Sequence, residues 1–458
     1  MQQVLSRAGF WMFLFDFCAL FLSSCYWYGA FKLPAAFMFS AAIVITVSGI
    51  IANYLKCQYK IREFKNTFKN CYLLFEGVLF AHALPILFGL IFYDTIPYAK
   101  FIVANIVSVY AFQKLYRLGY RFYLLHIKKT KKILIIGTNR AAKFVADEIL
   151  EKKALKTEIT GFVKGAVPDE DDWVEGSEQL PVFPFDDFEK IMRENEVNIV
   201  IVASPENISE KVLTTMVANT SRRVKIYRMP DFYEALTEKF FIDKYTLNEL
   251  FFDFTNRRSA VYDFCKRAYD IIAATIILTV TFPILLYIAV RVKLTDGGNP
   301  VYTQNRVGKD GKVFKAYKLR TMYMNDYVPT SENLGKASGL DDDNRIIPFC
   351  KFVRKARFDE IPQMINILKG EMSIVGPRAE WDELVNIYTK EVGGYSARMW
   401  SRTGWTGWAQ IKQGHCVTSD DVSEKLRYDL YYLKHRTLAF EIFILVKAVF
   451  MALGGRHE

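Results

Sequence analysis

An adjacent Asp359-Glu360 pair stands in the stretch KFVRKARFDEIPQMINILKGEMSIVGPRAE, residues 351–380, among Arg354, Lys355, Arg357 and the arginine of Gly376-Pro377-Arg378. Ionised carboxylates serve both magnesium binding and nucleophilic attack on phosphorus. Guanidinium groups neutralise phosphate oxygens as charge develops on them. Pro362, with fixed φ and no N–H, suits the first turn of a helix running through Asn366 to Lys369. Carboxylates at that start would meet the positive end of the helix dipole, which favours their ionised form. Asp-Glu pairs also act as plain helix caps, and spacing alone does not separate the two roles. Upstream, NRVGKDGKVFKAYKLRTM (residues 305–322) holds Gly308 and Gly311 as turn residues inside a strand pattern. Lys318 and Arg320 are two apart, so a strand would project both to one side, as a phosphate clamp or as a solvated basic edge. Asp341-Asp342-Asp343, before Arg345, reads equally as a surface loop or a ligand.

The elements that must position these groups start with a greasy chain. It has 458 residues, enough for two or three domains, with 51% hydrophobic, 15% aromatic and 24% charged residues and a net charge of +11. The basic residues cluster beside apolar runs, which favours anionic lipid head groups and phosphate ligands as partners and argues against nucleic acid. Seven scattered cysteines with no C-x-x-C pair read as reduced thiols. The N-terminus has no short apolar core with a small-residue cleavage site, so its hydrophobicity is expected to be retained.

Four apolar stretches, about 9–30, 36–54, 71–92 and 96–112, approach the ~20 residues of a spanning helix. The loop after the second carries Lys56, Lys60, Arg62, Lys65 and Lys69, and Lys114, Arg117, Arg121, Lys128, Lys129, Lys131 and Lys132 follow the fourth. Four spans over residues 1–115 with both ends on the cytoplasmic side satisfy the positive-inside tendency. From 131 to 235, strand and helix signals alternate (ILIIG, ITGFV, VNIVIVAS, VKIYRM), predicting a small parallel α/β domain. Its first turn has Gly137 but Asn139 and Ala142 where a dinucleotide fingerprint wants glycine, which favours a structural or assembly role over nucleotide binding. Residues 236–261 read as a connector. The apolar run 271–290 has basic residues at both ends and Pro283 near its middle, predicting a broken, re-entrant helix that leaves by the face it entered.

Residues 262–458 resemble the catalytic domain of bacterial polyprenyl-phosphate sugar-phosphate transferases, the monotopic phosphoglycosyltransferases of exopolysaccharide initiation. The matching pieces, in family order, are KRAYD, NRVGKDGKVFKAYKLRTM, RKARFDEIPQMINILKGEMSIVGPR, TGWTGWAQ and YDLYYLKHRTL. Four N-terminal helices followed by a Rossmann-like domain are similar to the large members of the family. The resemblance implies a membrane protein, α plus α/β, with a monotopic catalytic domain at the cytoplasmic face of the bacterial inner membrane. It implies that Asp359 attacks the β-phosphorus of a UDP-sugar with magnesium and expels UMP, and that a polyprenyl phosphate then takes the sugar phosphate. Glu360 becomes the magnesium-associated or proton-handling partner, Arg378 a phosphate contact, Lys318 and Arg320 the Lys-x-Arg element, and Arg354 the basic position before the dyad. The chain departs from the family at Ala379 after the arginine, at Ala356-Arg357-Phe358 before the dyad, and at Phe282 before the helix proline.

Two other functions share parts of this pattern. A membrane-anchored nucleotide-sugar dehydratase or epimerase would need an intact glycine fingerprint, and a non-enzymatic assembly scaffold would need none of Asp359, Glu360, Lys318, Arg320 and Arg378. Trp405 and Trp408 read as interfacial anchors as readily as site residues, Asp429 as an acid supporting the site, and the α/β domain and helices as surfaces for a homodimer. The sugar and the polymer are not legible.

Overall fold

The computed structural model describes residues 7–31, 35–55, 74–83, 85–86, 95–123, 130–152, 157–164, 180–203, 214, 224–242, 244–256, 260–323, 346–413 and 419–452. The acidic turn 341–343, Arg345 and the basic loop 56–69 lie outside them. Two compact units divide the chain, Met1–Leu236 and Thr237–Glu458.

In the first unit the apolar stretches form helices α1 (Arg7–Ala30), α2 (Ala35–Leu55) and α3 (Thr95–Phe122), with a shorter apolar helix at Leu74–Ala83. Among the described residues, Met12–Ala30 and, in the second unit, Ala260–Asp296 are long and apolar enough to cross a membrane by length and composition. The first-unit helices share a core that includes Leu20, Ile45, Val78, Phe101 and Val109. Polar residues between them pair with one another. Arg117 meets Asp16 at 2.7 Å, and Asn53 Nδ2 donates to Asp16 at 3.0 Å. Arg117, grouped by sequence with the basic cluster after the fourth apolar stretch, is therefore a buried partner of Asp16, because a charge among packed apolar helices needs a counter-charge.

Beyond them β1 (Lys131–Ile136), β2 (Thr157–Val163), β3 (Val182–Phe183), β4 (Ile199–Val202) and β5 (Lys225–Arg228) form a wholly parallel sheet in the order β3-β2-β1-β4-β5. The apolar runs of β1 and β4 are buried, as a sheet covered on both faces demands, and α5 (Phe188–Glu194) packs Phe188, Ile191 and Met192 against them. This is the Rossmann order, with its switch point between β1 and β4. The two-residue β3 is too short to show a period in the sequence. After β1 the chain turns at Gly137, whose φ of 109° favours glycine. Asn139 Oδ1 then accepts from the Ala142 N–H at 2.9 Å at the start of α4 (Arg140–Lys152). An asparagine cap thus takes one of the N–H groups that a pyrophosphate would use at that helix end.

The second unit is built on α7 (Ala260–Asp296), 37 residues long. Pro283 lies inside it and does not end it, although a break was expected there; proline costs a helix one hydrogen bond and a kink, which flanking turns can carry. Around α7 pack α6 (Lys244–Asn256), the antiparallel pair β6 (Val301–Val307) and β7 (Val313–Leu319), α8 (Cys350–Lys355), α9 (Met364–Lys369), β8 (Ser373–Val375), α10 (Asp382–Glu391), β9 (Gly404–Thr406), α11 (Trp408–Lys412), α12 (Ser419–His435) and α13 (Leu438–Ala452). The stretch expected to be a connector contributes Phe240, Leu250 and Phe254 to this unit's core, so its aromatic residues are packing groups. The opposite face of α7 leaves Ile272, Ile276, Val280, Phe282, Leu286 and Tyr287 exposed.

Candidate active site

The dyad sits at the start of a helical stretch, as its proline predicts, but the first turn is a 3-10 helix, Phe358–Gln363, that passes into α9. Arg357 precedes it in the left-handed region (φ 56°, ψ 23°), a conformation costly for a residue with a Cβ. Both carboxylates are nearly enclosed, Asp359 at 4% and Glu360 at 7% exposure. Asn366 brings the neighbouring strand to them. Its Oδ1 accepts from Tyr317 N at 3.0 Å, and its Nδ2 donates to Lys315 O at 2.8 Å and Glu371 at 2.7 Å. An asparagine wholly inside the fold thus stands in as a strand partner for β7.

That strand delivers Lys318, whose Nζ lies 3.0 Å from Asp359 Oδ2 and 3.6 Å from Glu360 Oε1. Arg378 Nη2 meets the same Glu360 oxygen at 2.9 Å. Burial pushes the Asp359 carboxyl up, Lys318 opposes it and Glu360 adds to it; the result lies above the usual aspartate value. Burial acts on Glu360 in the same sense, but Arg378, Lys318 and Arg357 outweigh it and hold that carboxyl well below its ordinary range. Adjacent carboxylates have been driven apart: Glu360 stays ionised, and Asp359 is the proton-sensitive member. Burial disfavours the Lys318 ammonium, yet Glu360 and Asp359 keep its pKa above the ordinary lysine value.

Arg320 does not join Lys318. The strand ends at Leu319, so the two-residue alternation stops before it, and its guanidinium forks onto Asp296 at the end of α7 and donates Nε to Asn299 O at 2.9 Å. The expected shared clamp is replaced by one cation on the dyad and one on the membrane-type helix. Because Arg320 is buried while its partner Asp296 lies at the surface, Arg320→Ala is expected to cost about 2 kcal/mol, the scale of hydrogen bonds to a charged group, read as a lower midpoint in a thermal melt; an unchanged midpoint would refute the anchoring role. Arg354 acts on Asp359 through its charge, with a long contact to Thr321 Oγ1 at 3.5 Å.

The Gly376-Pro377-Arg378 loop explains the TGWTG pattern. A Cβ on Gly404 would lie 2.1 Å from Gly376 N, and one on Gly407 2.3 Å from Gly376 O. Glycine is required because two backbones touch. Trp408 is not an interfacial anchor: it is buried, donates to Glu238 O at 3.2 Å and packs on Phe440. Asp429 supports the site at one remove, pairing at 2.8 Å with Arg398, which donates to Arg378 O at 2.9 Å.

Sequence reasoning missed three groups here. Arg306 donates to Ala379 O at 2.8 Å and is pushed down to about 10 by burial and by Arg378 beside it. Glu380 and Lys425 form a further, partly buried pair. Arg306 lies in the glycine-flanked strand pattern already singled out, and Glu380 two residues after Arg378, but only folding shows that they converge. No group of three or more His, Cys, Asp or Glu able to hold a metal exists among the described residues. A magnesium ion needs fewer, since it is commonly held by one or two carboxylates with substrate phosphates and waters. Asp359 and Glu360 supply two adjacent carboxylates beside the cations Lys318 and Arg378, so the donor set fits.

Residues 261–455 match the model of a family described as bacterial sugar transferase. The chain is 36% identical over 232 residues to the UDP-N-acetylgalactosamine-undecaprenyl-phosphate N-acetylgalactosaminephosphotransferase of Aeromonas hydrophila, covering 51% of this chain and 53% of that protein. It is 37% identical over 196 residues to the UDP-glucose:undecaprenyl-phosphate glucose-1-phosphate transferase of Escherichia coli K12, covering 42% and 41%. The UDP-glucose:undecaprenyl-phosphate glucose-1-phosphate transferase of Caulobacter vibrioides is 31% identical over 189 residues, 41% of this chain and 69% of that protein. The chain thus spans about half or less of the length of the first two relatives.

Proposed function

The chain belongs to the bacterial sugar transferase family, and from that premise we propose that it transfers a sugar 1-phosphate from a UDP-sugar to polyprenyl phosphate, giving a polyprenyl-diphosphate sugar and UMP. The observation that carries this is the enclosed Asp359-Glu360 pair with Lys318 and Arg378 on its carboxylates. In the first half-reaction an Asp359 oxygen attacks the β-phosphorus, and the bond to the bridging oxygen breaks, its electrons leaving with UMP. Lys318 and Arg378 bear the charge that grows on the phosphate oxygens. In the second half, a phosphate oxygen of the lipid attacks the phosphorus of the acyl phosphate and restores the Asp359 carboxylate. Asp359 and Glu360 would hold magnesium, which would supply charge neutralisation on the diphosphate and favour the ionised aspartate.

The same reading makes α7 a re-entrant helix at the cytoplasmic face of the inner membrane, and the apolar helices of the first unit part of four N-terminal spans. Support comes from its two ends. Arg267 donates to Ile367 O, and Asp296 binds Arg320, three residues from Tyr317, which is hydrogen-bonded to Asn366. Those anchors lie close together, whereas a straight helix would separate residues 267 and 296 by about 44 Å at ~1.5 Å per residue. Anchoring of both ends on one core favours a helix that returns to the face it entered over one that crosses to the far side.

UMP release from a panel of UDP-glucose, UDP-galactose, UDP-N-acetylglucosamine and UDP-N-acetylgalactosamine, with protein in nanodiscs, magnesium and undecaprenyl phosphate, tests the proposal. Release with one donor identifies the sugar; silence across the panel with a verified lipid acceptor overturns the reading.

A further inference from the structure

The first turns of α7 hold a buried cluster outside the reaction just described. Asp270, with no exposed surface, uses its Oδ1 to accept from Ser373 Oγ at 3.0 Å, from Ile374 N at 3.0 Å and from Lys266 Nζ at 2.7 Å. Lys266 also meets Glu441 on α13 at 2.6 Å, and Glu441 in turn accepts from Tyr262 at 2.6 Å. Tyr432 OH lies within hydrogen-bond distance of both Glu441 and Val375 O, at 2.9 and 3.1 Å. One residue along, Arg267 donates Nη1 to Ile367 O at 2.6 Å and Nη2 to Leu368 O at 2.8 Å, closing the carbonyl end of α9.

The destinations of these bonds matter more than their number. Ser373 and Ile374 belong to β8, which runs directly into Gly376-Pro377-Arg378, while α9 continues the turn that carries Asp359 and Glu360. Arg378 and Glu360 are partners at 2.9 Å, so the two arms must arrive in register. Neighbouring residues of one helix turn hold them both: Arg267 takes the dyad arm and Asp270 the arginine arm. A buried carboxylate accepting three donors is an expensive group to keep unless its geometry is needed.

We propose that Lys266, Arg267 and Asp270 form a positioning element that sets the spacing between the Asp359-Glu360 turn and the Arg378 loop, so that the seating of α7 in the membrane governs the alignment of the site. The inference deepens the transfer reading and rests on it for its kinetic test. Asp270→Ala removes the acceptor of β8. Asp270→Asn keeps an oxygen for Ser373 and Ile374, and Lys266 retains Glu441.

Full-length protein in nanodiscs is assayed for UMP release with the donor found above. Asp270→Ala is expected to lower kcat by about 10- to 100-fold, the scale of a misplacement near 1 Å, with little change in KM. Asp270→Asn is expected to recover most of the rate. In an Arg378→Ala background Asp270→Ala should cost almost nothing further, because both act on one group. Amide hydrogen exchange across residues 373–378 should quicken in Asp270→Ala and not in Asp270→Asn. Full additivity with Arg378→Ala, or a rate loss that tracks only a lowered melting midpoint, would overturn the positioning role. Should the wild type release no UMP from any donor, the transfer reading fails, and exchange across 373–378 still decides the inference: unchanged exchange in Asp270→Ala refutes it.

Discussion

Replacing Asp359 with asparagine is expected to abolish UMP release and lipid product together, by at least about 10⁴-fold, the scale on which removal of a covalent nucleophile acts. The carboxamide nearly matches the carboxylate in shape, so it fits an enclosed site without a void. What it lacks is an anionic oxygen able to bond to phosphorus and later to leave as carboxylate. The thermal midpoint should move little, since Lys318 retains Glu360 at 3.6 Å. UMP release is the discriminating signal, because a mechanism in which the lipid phosphate attacks directly would need no aspartyl intermediate. If the asparagine variant released UMP at a near-normal rate, the covalent route through Asp359 would be wrong.

Arg378→Ala is expected to reduce kcat by about 10²- to 10³-fold, comparable to the loss of one preorganised charge donor at a transition state. Two effects combine. The phosphate oxygens lose a guanidinium, and Glu360, held ionised first of all by that guanidinium against its burial, is left with Lys318 and Arg357. A less firmly ionised Glu360 is a poorer magnesium ligand, so the variant should also demand more magnesium for half-maximal rate. Arg378→Lys returns the charge as a point without the planar fork and should recover part of the rate. A variant altered in KM alone would show that Arg378 contributes uniform substrate binding and no transition-state stabilisation.

The legibility of the site followed the locality of the interactions. The dyad, its proline and the start of a helical stretch could be read because they depend on neighbours within one turn. The strand carrying Lys318 was readable from its glycine turns and alternation. Arg320 was misplaced because alternation holds only while the strand lasts, and the strand stops at Leu319. Arg306, Glu380 and Lys425 went unnoticed because their significance lies in partners far along the chain. Trp408 looked like a membrane anchor by composition and proved to be a core residue, as its indole N–H finds Glu238 O across 170 positions.

The sequence alone determined that a parallel α/β domain lies between apolar helices and a segment dense in paired carboxylates and basic residues, since periodicity, proline and glycine positions and charge are local properties of the chain. It also determined which carboxylates stand adjacent. The tertiary structure decided which cations reach them. Arg320 is committed to Asp296, Lys318 and Arg378 are committed to the dyad, and the unequal surroundings of Asp359 and Glu360 follow from that choice. The physical reason is that a buried charge is set by desolvation and by partners a few ångströms away in space, and those partners are chosen by packing between segments that the sequence keeps far apart.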